Sequence, residues 1–138
     1  MFQQDYLMRL IWQFVEALRR TVEKDDDPEA QAESVEGAIA NALEMDASVV
    51  LGLAPESFAG ILQVSGTDPH VVEYLVRGLA LESHYLQQAG KQQVALLRYD
   101  QAAALAAAYG IVPPEPDEIP TTADFDEMLE TDGIADVQ

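Results

Sequence analysis

From Asp68 to Gly110 the sequence reads as two antiparallel helices joined by a tight turn at Gly90. Asp68-Pro69 supplies a capping residue followed by a proline suited to the first helical position. The long helix that follows runs to about Ala89, where Gly90 supplies the left-handed residue that ends it. The next helix runs from Lys91 to Tyr109 and stops at Gly110. Its alanines at 102–104 and 106–108 favour helix and lack bulk, so neighbouring helices can approach closely. The apolar run 46–54, with Val49, Val50, Leu51 and Leu53, would as a strand lack a partner elsewhere in the chain. It is therefore expected as a buried turn or a short helical piece.

The long helix of the hairpin carries three stripes. Val72, Leu75, Val76, Leu79, Ser83 and Leu86 form one apolar face, and Val71, Tyr74, Gly78, Leu81 and Tyr85 form a second. Between them runs a polar stripe of His70, Glu73, Arg77, Ala80, His84, Gln87 and Gln88. A helix apolar on two sides is sandwiched between neighbours, and the polar stripe should be its only exposed part.

The same punctuation organises the rest. Residues 3–24 read as a first helix with Tyr6, Leu7, Leu10, Ile11, Phe14, Val15, Leu18 and Val22 at helical spacing, widened by Met8 and Trp12. Asp25-Asp26-Asp27-Pro28 breaks it and starts a second helix to about Met45; the three aspartates read as a capped, solvated turn rather than a cation site. Pro55 starts a short helix that Gly66 closes. Pro113, Pro114, Pro116 and Pro120 then make residues 111–120 an extended connector. Thr121 or Thr122 caps a short final helix around 122–131, whose Phe125, Met128 and Leu129 give a small apolar face on an acidic segment. The expected architecture is all-α, about five helices in antiparallel hairpins over residues 1–110, with a proline-broken acidic tail over 111–138. That tail is expected either to dock its apolar face on the chain's own groove or on a second copy, or to stay free as an acidic solubiliser.

Charge narrows the function classes. Residues 111–138 carry nine acids and no Lys or Arg, half of the net charge of −18. Such a field repels phosphate backbones and anionic membrane surfaces, so no nucleic acid and no membrane is expected as a partner. Cysteine is absent, which removes disulfides, thiolate nucleophiles and cysteine-ligated metals. The N-terminus does not resemble a signal peptide, since Asp5, Arg9 and Glu16 interrupt its apolar residues, and the cytoplasm is the default location.

With Gly90 at the turn, the hairpin resembles a tetratricopeptide repeat. Ala95, Tyr99 and Ala102 match the small, aromatic and small positions of the second helix. Leu79, Ser83 and Leu86 take the large, small and large positions of the first, with Leu79 in place of Trp, Ser83 in place of Gly and Ala107 in place of a closing Pro. One such unit is visible, about a third of the chain, whereas repeat arrays stack several. The resemblance implies a protein-binding groove lined by Arg77, Ala80, His84, Gln87 and Gln88. The opening Asp5-Tyr6-Leu7-Met8-Arg9-Leu10-Ile11 is similar to the start of a family of small, functionally uncharacterised bacterial helical proteins. That likeness implies a bacterial, cytoplasmic, helical protein and carries no activity.

The residues offer little chemistry. His70 and His84 lie fourteen positions apart on one helix, about 21 Å along its axis, and cannot share a metal. Glu73 and Glu82 give no reason to expect a shifted pKa. Asp124-x-Asp126 with Asp132-Gly133 lacks the offsets of a calcium loop, and no phosphate-binding loop or nucleophile elbow occurs. No catalytic residue, cofactor or metal is expected. The leading expectation is an interaction module in which the polar stripe meets a peptide or protein, with Arg77, Lys91 and Arg98 as scarce cations able to anchor a carboxylate. One alternative is an enzyme or small-molecule binder with a pocket between helices, for which the sequence shows too few buried polar residues to name a site. Another is structural self-association, including a homodimer through the apolar first helix and Trp12.

Overall fold

Local capping chemistry sets the helix boundaries. The computed structural model describes residues 2–24 and 26–134 of the chain, with side chains from Asp5 onward. The helices are α1 (Phe2–Lys24), α2 (Pro28–Leu43), α3 (Ala47–Val50), α4 (Pro55–Val64), α5 (Pro69–Gln88), α6 (Gln92–Tyr109) and α7 (Thr122–Thr131). Among the described residues the protein is all-helical, without strands. Asp25 of the aspartate turn and residues 135–138 of the tail lie outside them.

Asp27 accepts from the Ala30 amide at 2.9 Å and Asp68 from the His70 amide at 2.8 Å, each followed by a proline at the start of its helix. These bonds satisfy amides that the first helical turn leaves without an internal partner. Thr121 and Asp124 cap α7 reciprocally, the Asp124 amide donating to Thr121 Oγ1 and the Thr121 amide to Asp124 Oδ2. The run 46–54 resolves into one helical turn, α3, capped by Asp46. It buries Val50 and Leu51 and leaves Val49 exposed.

At Gly90 the chain takes φ 80°, and the Lys91 amide closes on the Leu86 carbonyl at 2.9 Å. An L-residue in this left-handed region would cost about 1–2 kcal/mol, so glycine suits the turn. The reversal makes α5 and α6 an antiparallel hairpin. Ser83 Oγ donates to the Ala95 carbonyl at 2.7 Å, and Arg98 Nε to Glu82 at 2.8 Å. Ala95, Ala102, Leu105 and Ala106 of α6 are all buried.

Helix α5 is the centre. It packs on α2 and α6, α2 packs on α1, and α6 packs on α4. Thirteen of its twenty residues are buried, which only a helix covered on several sides achieves. Apart from Pro69, the residues left partly or fully exposed are those of the polar stripe. Where α1 meets α5, Phe14 lies against Gly78; a Cβ there would stand 2.7 Å from the ring's Cζ. A glycine in mid-helix costs about 1 kcal/mol relative to alanine, and this contact is what offsets it.

The tail is built onto the same body. Phe125, Leu129 and Ile134 belong to one core cluster with Ile11, Phe14, Leu18 and the inner residues of α5. Arg19 on α1 pairs with Asp126 at 2.7 Å, Tyr74 donates to Asp132 at 2.8 Å, and Tyr99 donates to the Pro114 carbonyl at 3.0 Å. The proline connector is thus fastened to α6 and the final helix to α1 and α5.

Candidate functional site

The course of the tail creates a cleft beside α5. Glu73 and Arg77, on the polar stripe, form its inner wall. Val112, Pro113, Pro114, Glu118 and Pro120 of the connector and Asp124, Glu127, Met128, Thr131 and Asp132 of α7 form the rest. The cleft has a volume of about 430 Å³ and opens to solvent. Five carboxylates and one cation line it, alongside an apolar surface of valine, prolines and methionine.

These charges are not equally available. Asp132 accepts from Tyr74, whose hydroxyl burial and Asp132 together push well above its ordinary range. Asp124 is held in the α7 cap, and Glu118 accepts from the Glu115 amide at 3.0 Å. The carboxylates of Glu73 and Glu127 have no side-chain bond among the described residues. Arg77 donates to the Glu73 main-chain carbonyl at 3.1 Å, with no carboxylate as an ion-pair partner among the described residues. Its guanidinium keeps further donors for a ligand.

Of the groove residues implied by the sequence, Arg77 alone lines this cleft. Ala80 is buried at 7% exposure and presents no surface. His84 is half-buried, lies against the Tyr85 ring at 5.9 Å between centroids, and is pushed down by burial; Gln87 and Gln88 are exposed at the far end of α5. Arg77 lines the cleft, whereas His84, Gln87 and Gln88 lie further along the same stripe of α5. Phe125 and Leu129 are core residues, and Met128, half-buried, lies at the cleft.

A second constellation lies at the hairpin's heart. Glu82 is fully buried, which corrects the expectation of an ordinary carboxylate: burial pushes it up to about 8, against the pull of Arg98. Arg98, 6% exposed, binds Glu82 Oε2 through Nε, Glu36 Oε1 through Nη2 at 3.2 Å, and the Leu51 carbonyl and Gln101 Oε1 through Nη1. Gln101, fully buried, donates to the carbonyls of Leu51 and Leu53 at 3.0 and 2.9 Å. The buried polar groups that the sequence was expected to lack are thus present, and Arg98 is committed inside the protein. Lys91 pairs with Glu29 at 2.6 Å on the surface. A sequence signal for the buried pair exists: Glu82 sits in an apolar face between Leu79 and Leu86, and Glu82 and Arg98 are equidistant from Gly90.

Among the described residues no group of three His, Asp or Glu side chains could hold a metal ion, and no helix is long and apolar enough to cross a membrane. No family model matches the chain, and neither a curated protein nor a solved structure does.

Proposed function

We propose that this protein is a non-catalytic interaction module whose cleft between α5 and the tail receives a short cationic segment of a partner protein. The observation that carries this reading is the cleft's composition: five carboxylates around Arg77, two of them unengaged, beside an exposed connector whose Val112 is 83% accessible. A lysine or arginine fits both halves of such a surface, laying its methylene stem on the prolines and its head on Glu73 or Glu127. Arg77 adds a donor for a main-chain carbonyl of the same segment. The resemblance of the hairpin to tetratricopeptide scaffolds, which present peptide grooves, supports the same class of function.

The test must separate the cleft from the field of the whole molecule, because a chain of charge −18 attracts any cationic peptide. Fluorescein-labelled peptides alternating lysine or arginine with apolar residues are titrated by anisotropy against the wild type, against Glu73→Lys plus Glu127→Lys, and against Glu23→Lys plus Glu56→Lys. The two doubles have equal net charge, and the second pair is exposed outside the cleft. Binding weakened at least about tenfold more by the cleft pair supports the reading, a difference of about 1.4 kcal/mol. Equal weakening by both doubles refutes it.

A further inference from the structure

The two oxygens of Glu82, the most deeply enclosed carboxyl among the described residues, are treated differently. Oε2 accepts from Arg98 Nε at 2.8 Å, whereas Oε1 is buried and meets no donor. An enclosed acceptor left without a partner is costly and calls for a physical explanation. The geometry of the guanidinium supplies one. Nε and Nη2 form a single edge, which ordinarily grips both oxygens of one carboxylate. Here the edge is divided, Nε going to Glu82 and Nη2 to Glu36 Oε1 at 3.2 Å. Two carboxyl groups sharing one edge are brought side by side. If both were ionised, the cluster would hold two negative charges against one positive charge, and neither carboxylate could donate to the other.

We propose that Glu36 and Glu82 hold a single proton between them at neutral pH, carried on Glu82 Oε1 and donated to Glu36, so that the Arg98 cluster is a proton-binding site. One proton brings the cluster to zero net charge and gives Oε1 a partner. It resides on Glu82 because that group is fully buried, while the Glu36 side chain is 36% exposed and reaches solvent. The groups around Glu82 fit this count. Glu36 faces it from α2 and Arg98 from α6. Gln101 of α6 is neutral, and the Leu51–Leu53 loop contributes only carbonyls, to Arg98 and Gln101. Where α1 meets α5 it brings the Phe14 ring. The proton thereby couples pH to the cluster that ties this loop to the hairpin.

Burial raises the Glu82 carboxyl from 4.5 to about 8, and Glu36 acts in the same direction. Between those two values the folded chain carries a proton that the unfolded chain has released. The stability contributed by that proton is fully present below 4.5 and is lost as pH rises through about 8. Because the two carboxyls interact, the midpoint belongs to the pair.

Carbon-13 NMR titration of the glutamate side-chain carboxyls in the full chain tests the site directly, with urea unfolding midpoints from pH 5 to 9 as a second readout. One glutamate carboxyl is expected to titrate about three units or more above the ordinary value and to disappear from the spectrum of Glu82→Gln. Glu36→Gln is expected to lower that midpoint. The wild-type unfolding midpoint should fall across the range relative to that of Glu82→Gln. Ionisation of every glutamate complete by about pH 7, or parallel unfolding profiles for wild type and Glu82→Gln, overturns the proposal. Should Glu82→Gln fail to fold, the wild-type titration decides alone.

Discussion

Two glycines in mid-helix allow the α1–α5 contact to be measured. Gly78 lies within α5 and Gly37 within α2. Replacing either with alanine should gain about 1 kcal/mol of helix propensity. At Gly37 nothing lies within 4 Å of the added Cβ. At Gly78 the Cβ would stand 2.7, 3.4 and 3.7 Å from Cζ, Cε2 and Cε1 of Phe14. The shortest of these is about 1 Å inside a comfortable carbon–carbon separation. Phe14 is 4% exposed and enclosed by the core, so its ring cannot swing out; α1 must shift. Overpacking of this kind costs about 1–3 kcal/mol.

Gly37→Ala should therefore stabilise by up to about 1 kcal/mol, while Gly78→Ala should be neutral or destabilise by up to about 2 kcal/mol. The propensity gain cancels in the difference, which reports the steric term alone. Urea unfolding followed by far-UV circular dichroism measures both, at a common m-value. Phe14→Leu removes the offending ring atom; the Gly78→Ala/Phe14→Leu double should be more stable than the sum of its singles by about 1 kcal/mol. Equal stabilisation by Gly78→Ala and Gly37→Ala would refute the claim that this glycine is required by the approach of α1.

Arg98→Met removes the counter-charge of the buried Glu82 and of the part-exposed Glu36, while the Leu51 carbonyl keeps its bond from Gln101, and should destabilise by about 3–5 kcal/mol in urea unfolding. Arg98→Lys should recover little of it, since an ammonium cannot reproduce the planar fork that serves Glu82, Glu36 and Leu51 together. Phe125→Ala should cost about 3–5 kcal/mol if the tail helix unfolds with the rest, and a separate early transition in thermal melts would show instead that it melts alone. Thr121→Ala removes one half of the α7 capping box and should lower stability by about 1 kcal/mol, read from the thermal midpoint.

The helix ends were legible because their causes are local. Asp27-Pro28, Asp68-Pro69, Gly90 and Thr121 each act through bonds within a few residues, and the stripes of α5 follow from helical period alone. Glu82 was misread because a carboxylate inside an apolar face announces nothing until its counter-charge is placed, and Arg98 lies on another helix. Hairpin register makes that placement possible, since residues equidistant from Gly90 meet. Gln101 offered no such route: its acceptors, Leu51 and Leu53, belong to a loop whose position depends on how α4 packs against α6. The cleft was hidden for a similar reason. Periodicity marks Glu73 and Arg77 as polar positions on α5, but the wall opposite depends on where the proline connector runs, which the Tyr99 bond to Pro114 helps fix across fifteen residues.

That dependence changes how the cleft has to be dissected. A polar stripe on a bare hairpin would be uncovered by deleting residues 111–138, and stronger partner binding after deletion would identify it. Here the same deletion removes one wall of the cleft, two aromatic anchors (Tyr74 to Asp132 and Tyr99 to Pro114), and the buried Phe125, Leu129 and Ile134. Each fully buried large side chain contributes about 1.5–3 kcal/mol, so the loss would be comparable to the whole stability of a small domain. Failure of a truncated chain to bind would then report unfolding as readily as loss of the site. Charge changes at Glu73 and Glu127 leave the core side chains and both tyrosine bonds in place, so a change in binding at constant unfolding midpoint can be assigned to the cleft. The tail is a structural wall of the cleft, and its apolar face is already packed in the protein's own core.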